Sequence, residues 1–171
     1  MRRWTITTAV IFGLLAAAPT AAHAQQNGGS FGIGVGVSTF SLADFEGLIM
    51  PAVYVPIATG GQFMIEPALG LLRVSDGDFS ETFLRLGTGI LYQMDAIEEG
   101  RLYVGPRIGI IRASNDFGSE TNLTLAGVVG GEYFLGSHFS LGGEAGFRWI
   151  DLSGGNLLST TGEFRVRWYF P

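Results

Sequence analysis

The chain has 171 residues, no cysteine, and fifteen acidic against ten basic residues, all ten of them arginine. A net charge of −5 argues against nucleic acid as a partner, and the lack of thiols excludes disulfides and thiolate chemistry. Mean hydropathy is high, +0.33, yet beyond the N-terminus no stretch approaches the run of about 18 apolar residues that a spanning helix needs, which leaves a soluble β protein or a closed barrel.

In chain order, Arg2 and Arg3 precede an apolar run from Ala9 to Ala18, and Ala22-His23-Ala24 forms a small-x-small cleavage site before Gln25. This order predicts a secretory signal peptide over residues 1–24 and a mature domain over 25–171. Loss of Arg2 and Arg3 leaves eight basic against fifteen acidic residues, a charge of −7.

From Ser30 the pattern predicts eight strands, because side chains in a strand alternate faces with period two. The first, about 30–40, sets Phe31, Ile33, Val35 and Val37 against Gly32, Gly34, Gly36 and Ser38. The second, about 47–57, contains Pro51 and Pro56 and alternates poorly; Ala58 to Gly61 reads as a tight turn. Strands follow at about 62–74, 81–93, 101–112, 121–134 and 139–150, each with one apolar parity. Polar or acidic connections fall at 75–80, 95–100, 113–120, 135–138 and 151–158. The last strand, Thr160 to Pro171, sets Phe164, Val166, Trp168 and Phe170 against Glu163, Arg165, Arg167 and Tyr169. Pro67 and Pro106 fall in mid-strand, where each removes a ladder donor, and a bulge is expected at each.

Pro67-Ala-Leu-Gly70-Leu-Leu-Arg73 is repeated as Pro106-Arg-Ile-Gly109-Ile-Ile-Arg112, with a weaker echo at Gly143-Glu-Ala-Gly146-Phe-Arg148. The central glycines are 39 and 37 residues apart, one hairpin each, so the unit is an up-and-down hairpin. Opposite the apolar face lie Glu66, Arg85, Arg107, Glu132, Glu144, Arg148, Glu163, Arg165 and Arg167. A soluble sandwich or lipocalin-like barrel would carry these nine charges on its solvated outer face; a membrane barrel would carry them in its lumen. The aromatics favour the membrane barrel. With both termini on one side, Phe31, Phe63, Tyr92, Tyr133, Phe139, Trp168 and Phe170 collect on the apolar parity at that end, a girdle at one membrane interface.

These residues resemble a known family. Gly130-Gly-Glu132-Tyr133-Phe134, a short turn, Leu141-Gly-Gly-Glu144-Ala-Gly-Phe147-Arg148 and the closing aromatic alternation are similar to the small eight-stranded outer-membrane barrels of Gram-negative bacteria, the group of the OmpA transmembrane domain and OmpX. The resemblance covers essentially the whole mature chain. It implies an all-β, eight-stranded antiparallel up-and-down transmembrane barrel, integral to the bacterial outer membrane and monomeric. It further implies outer-membrane lipids, lipopolysaccharide included, as surroundings. Phe164, Val166, Trp168 and Phe170 resemble the signal read by the barrel-assembly machinery, although Pro171 follows the terminal aromatic. An added peptidoglycan-binding domain of the kind attached to OmpA is not expected.

An eight-stranded barrel is just wide enough to be filled by side chains, so the nine charges read as a structural network of Arg–Glu pairs. The expected role is structural or surface-interacting, without catalysis or cofactor; a small channel or solute-handling barrel is the alternative. A lipid-modifying enzyme is a remote third. His138-Phe139-Ser140 with Glu144 resembles the His-x-Ser and acid of barrel enzymes that deacylate lipid A, but His138 falls in a turn on the side of the termini, away from the outer leaflet. No two-histidine metal site exists once His23 has left with the signal peptide. Asp76-Gly-Asp78-Phe-Ser80-Glu81 has only a trace of calcium-loop spacing. Asn122-Leu-Thr124 matches a glycosylation sequon and carries no information in a bacterial strand. Arg73 and Arg112, each ending an upward strand on the lipid parity, are placed to reach lipid phosphates. The outward loops carry Asp44, Glu46, Asp76, Asp78, Asp116, Glu120 and Asp151 and are short for an adhesin.

Overall fold

A computed structural model describes Thr5–Ile6 and residues 30–42, 45–76 and 79–170. Eight antiparallel strands make the fold: β1 Phe31–Leu42, β2 Phe45–Tyr54, β3 Phe63–Asp76, β4 Phe79–Ile97, β5 Gly100–Asn115, β6 Gly118–Phe134, β7 Phe139–Leu152 and β8 Gly155–Phe170. Each pairs with the next in sequence. β8 then returns to β1 in an unbroken register from Phe170↔Phe31 to Glu163↔Ser38, which closes the barrel.

The period-two pattern decides which face looks out. On β1, Phe31, Ile33, Val35 and Val37 are about half exposed, and the alternate Gly32, Gly34, Gly36 and Ser38 are buried. The same holds around the barrel: leucines, isoleucines and valines point outward, while Glu66, Arg165 and Arg167 inside are at most 1% exposed. A water-soluble barrel needs the inverse arrangement. The soluble alternative is therefore overturned, because an apolar outer band is stable only against lipid.

The aromatic girdle forms at the end where β1 begins and β8 finishes. Phe31 stacks on Phe170 at 5.0 Å, Phe63 meets Tyr92 edge-on at 5.5 Å, and Phe139 lies 6.4 Å from Trp168. These are cross-strand neighbours, and aromatic pairs in such geometry add to the area they bury. The turns at this end are tight; Gly60 supplies the left-handed backbone (φ 79°) that one of them requires.

The strands run further than the turn residues predict. Ala113 to Glu120 is a continued ladder rather than a loop, with Ala113↔Glu120, Ser114↔Ser119 and Asn115↔Gly118 paired. Likewise Asp95↔Arg101 and Ile97↔Gly100 pair across the supposed acidic turn, with a register shift between them. Polar side chains disfavour burial, not pairing, so a hairpin that projects beyond the membrane stays strand.

The expected bulges at Pro67 and Pro106 do not occur. Pro67 pairs in register with Thr88. At Pro106 the β4–β5 ladder skips from Gly89↔Arg107 to Tyr92↔Val104 with the register unchanged. One lost donor interrupts the ladder without shifting it, because the pairs on either side hold the alignment.

β2 departs from a regular strand, as its two prolines suggest. It ends at Tyr54, breaks at Val55-Pro56 and resumes as Ile57–Ala58. Among the described residues its seam with β3 consists of Ala52↔Gly70, Val53↔Leu69 and Tyr54↔Ala68, followed by Ile57↔Ile65 and Ala58↔Met64. Toward the far end of β3 a two-residue segment, Thr5–Ile6, pairs instead with Ser75 and Val74. The rest of the predicted signal peptide, including Arg2, Arg3 and the cleavage site, lies outside the described residues, as does Pro171.

Candidate functional site

The lumen is the only place where this fold gathers chemistry among the described residues. Alternation on β8 aims Glu163, Arg165, Arg167 and Tyr169 inward in one row, all buried. Across the lumen, β3 presents Glu66, which is 0% exposed. An arginine side chain is long enough to span the gap, so residues 99 and 101 positions apart in sequence meet: Arg165 Nη1 lies 2.8 Å from Glu66 Oε1 and Arg167 Nη2 2.6 Å from Glu66 Oε2. Arg107 from β5 donates to Glu66 at 2.7 Å and to both oxygens of Glu144 on β7. Glu66 therefore accepts from three guanidiniums.

The network extends from this centre. Arg165 also contacts Glu144 and Glu163, each at 2.9 Å. Arg167 donates to Glu132 at 3.0 Å. Glu132 in turn accepts from Ser140 at 2.9 Å and from the Tyr169 hydroxyl, with Arg101 at 3.6 Å on the rim. Arg85 approaches Glu163 at 3.9 Å and donates to Ser38 at 3.4 Å. Arg148 donates to Thr161 at 3.1 Å. Two tyrosines line the cluster: the Arg165 guanidinium lies 4.4 Å from the Tyr54 ring centre and that of Arg167 5.2 Å from Tyr103. Desolvated guanidiniums gain from both contacts, since the planar group bonds in its plane and stacks on its face.

All nine charged residues read from the sequence as lumen groups are thus buried inside the barrel. Two further features line the lumen. Tyr54, Tyr103 and Tyr169 each sit on the inward parity, as the alternation of the last strand already sets out for Tyr169. Above the charges, toward the end away from the aromatic girdle, Met50, Leu72, Val74, Phe83, Ile111 and Ile150 form a buried apolar plug. The sequence pattern shows this plug only when the inward parity is followed to the strand ends.

The remaining candidates lie elsewhere. Phe164, Val166, Trp168 and Phe170 face outward on β8, away from the cluster. Arg73 and Arg112 are exposed beyond the apolar band and donate to Ser80 and Ser119 of the neighbouring strands at 3.5 and 3.1 Å. His138 packs its ring 5.8 Å from Trp168, and its buried Nδ1 has no hydrogen-bond partner among the described residues. Ser140 gives its hydroxyl proton to Glu132, and Glu144 is held by Arg107 and Arg165, so His138, Ser140 and Glu144 do not form a relay. Among the described residues no group of three or more His, Cys, Asp or Glu is placed to hold a metal ion.

Comparisons with known proteins agree with this geometry. A family model described as "Outer membrane protein beta-barrel domain" matches residues 10–170. The crystal structure of Neisserial surface protein A is similar with a TM-score of 0.58 at 16% identity, over 82% of this chain and 95% of that one. Ail, the attachment invasion locus protein of Yersinia pestis, solved with the heparin analogue sucrose octasulfate, gives 0.54 at 14% identity over 83% and 99%. The N-terminal β-barrel domain of Pseudomonas aeruginosa OprF gives 0.50 at 15% over 84% and 100%. Identities this low show a shared fold and nothing about shared ligands. No curated protein matches the sequence.

Proposed function

Because the chain belongs to the outer membrane protein β-barrel family and is integral to the outer membrane, we propose that it serves there as a non-catalytic, non-conducting barrel with a structural or surface-interaction role. The observation that carries this reading is the filled lumen. Its middle is cross-linked by Arg–Glu pairs anchored on Glu66, and its outer end is stopped by the apolar plug around Phe83 and Ile111. Ions entering such a lumen would have to displace buried ion pairs and then cross a dry layer, so the small-channel alternative loses support. The test is conductance of the purified protein in planar bilayers. We expect no steady open state; a sustained, voltage-stable current would overturn the reading.

Several partners follow on the same footing. In this family short turns face the periplasm, so the end where β1 begins and β8 finishes is periplasmic and the projecting hairpins are outward. Arg73 and Arg112 then stand at the outer-leaflet interface, where they would contact lipopolysaccharide phosphates. Unchanged lipopolysaccharide association after R73Q/R112Q would count against this. The outward face of β8, from Phe164 to Phe170, would present the assembly signal to the barrel-assembly machinery, and the barrel would act as a monomer. Ail was solved with a polyanion; the outward hairpins here carry Asp76, Asp78, Asp116, Glu120 and Asp151, which supplies no comparable attraction for one.

A further inference from the structure

The repeated Pro-x-x-Gly-x-x-Arg segment also shapes the outer wall. In its copy on β5, Pro106, Ile108, Ile110 and Arg112 share the outward parity and are all exposed. β6 lays Gly127, Leu125, Leu123 and Thr121 beside them, pair by pair, from Pro106↔Gly127 up to Arg112↔Thr121.

At the lower end of this double row the wall is hollow. Gly127 has no side chain, and a Cβ there would meet nothing within 4 Å. An open hollow of about 510 Å³ results, with Pro106 and Gly127 at its floor and Leu125, Phe147, Trp149 and Leu158 around it. Phe147 and Leu158 are 66% and 70% exposed, so they project into the membrane and deepen it. In the other copy of the repeat, Pro67 has the branched Val55 beside it where Pro106 has Gly127.

At the upper end stands a set of groups suited to a phosphate. Arg112 donates to Ser119 at 3.1 Å, and Thr121 lies directly across from it, so a guanidinium and two hydroxyls share the outward parity. Glu120 stands on the opposite parity and accepts from the Ser153 amide. Pro106 and Arg112 are six residues apart, about 20 Å along a strand and about 15 Å along the membrane normal at the tilt of such a barrel. Half the hydrocarbon thickness of a bilayer is also about 15 Å. A lipid with its phosphate at Arg112 therefore reaches the hollow with an acyl chain, which gains contact on three sides there rather than one.

We propose that this wall is a seat for one molecule of lipid A, the lipid part of lipopolysaccharide, with a phosphate on Arg112, Ser119 and Thr121 and one acyl chain in the hollow at Gly127. The inference rests on the outward orientation of the hairpins given above and deepens the contact at Arg112 into a defined lipid site.

The test uses the refolded mature barrel carrying W168F, in which Trp149 is the one remaining tryptophan. It is placed in vesicles of phosphatidylcholine brominated on its acyl chains, where bromine quenches the indole it touches, and unbrominated lipid A is added in steps. When lipid A supplies one tenth of the acyl chains, statistical mixing lifts about one tenth of the quenching, whereas a seated chain preferred about tenfold lifts about half. R112Q, and separately G127L, which fills the hollow, should each return the curve to statistical mixing; V35L on the far wall should not. Lipid A stripped of its phosphates should show no preference. A statistical curve for the W168F barrel, or a preference that survives R112Q or G127L, would overturn the seat. Lipid A that stays with the barrel through detergent extraction is measured alongside. Retention that is lost in R73Q/R112Q while Trp149 shows no preference overturns the seat alone, and an absence of retention overturns the arginine contacts with it.

Discussion

Glu66 is the residue on which the lumen depends most, and E66Q tests that dependence. The carboxylate accepts from Arg107, Arg165 and Arg167 at 2.7, 2.8 and 2.6 Å and is 0% exposed. Glutamine has nearly the same shape but no charge, and its amide group turns a donor toward guanidiniums that are donors themselves. Three charge-assisted bonds of about 1.5–3 kcal/mol each set the gross scale. Arg107 and Arg165 keep Glu144, and Arg167 keeps Glu132, so part of the loss is recovered. Removing one partner of a buried ion pair costs about 3–5 kcal/mol, and E66Q is expected in that range. The assay is urea unfolding of the refolded protein in detergent, read by heat-modifiable mobility and tryptophan fluorescence, with ΔG taken as midpoint times slope. E66Q/R167Q restores the charge balance and should be less destabilised than the sum of the single variants by about 1–3 kcal/mol. A cost below about 1 kcal/mol for E66Q, or strict additivity in the double variant, would refute the reasoning. Either would mean that water in the lumen screens these charges as it does on a surface.

Three further outcomes are expected. Among the described residues the five-pair seam between β2 and β3 is the shortest in the barrel, so segments containing Leu71–Arg73 should exchange backbone hydrogens sooner than those containing Leu102–Val104, as hydrogen-exchange mass spectrometry will show. I108R places a guanidinium on the lipid-facing side near mid-membrane and should destabilise the barrel by about 2–4 kcal/mol in lipid vesicles, while an arginine at Thr121, beyond the apolar band, should cost about 1 kcal/mol or less. G130V should impair folding: a Cβ at Gly130 falls on the ring of the fully buried Tyr103, which donates no space because it also packs under Arg167. Refolding yield on gels checks this, with G118V in the outermost hairpin, where a Cβ meets nothing, as the control.

Much of this protein is legible along its sequence. Strict alternation in segments such as Phe31 to Ser38 and Phe164 to Tyr169 is a local property of the chain, so strand number, which residues share a face and the collection of aromatics at one end follow from period two alone. The identity of the nine lumen charges follows in the same way, since each stands on the parity opposite an apolar row. Local pattern also misled. Prolines 67 and 106 suggested bulges that the flanking ladder pairs suppress, and polar runs such as Ala113 to Glu120 suggested loops where the hairpin continues.

What only closure of the barrel decided is which groups meet. Glu66 and Arg167 are 101 residues apart, and nothing local to either specifies that one carboxylate should hold three guanidiniums. That choice depends on the β8–β1 register and on the reach of side chains across a lumen whose width strand number and tilt set together. Closure likewise brought Leu72, Phe83, Ile111 and Ile150 from four strands into one apolar plug. Alternation determines that a side chain points inward; only the curved, closed sheet determines what it finds there.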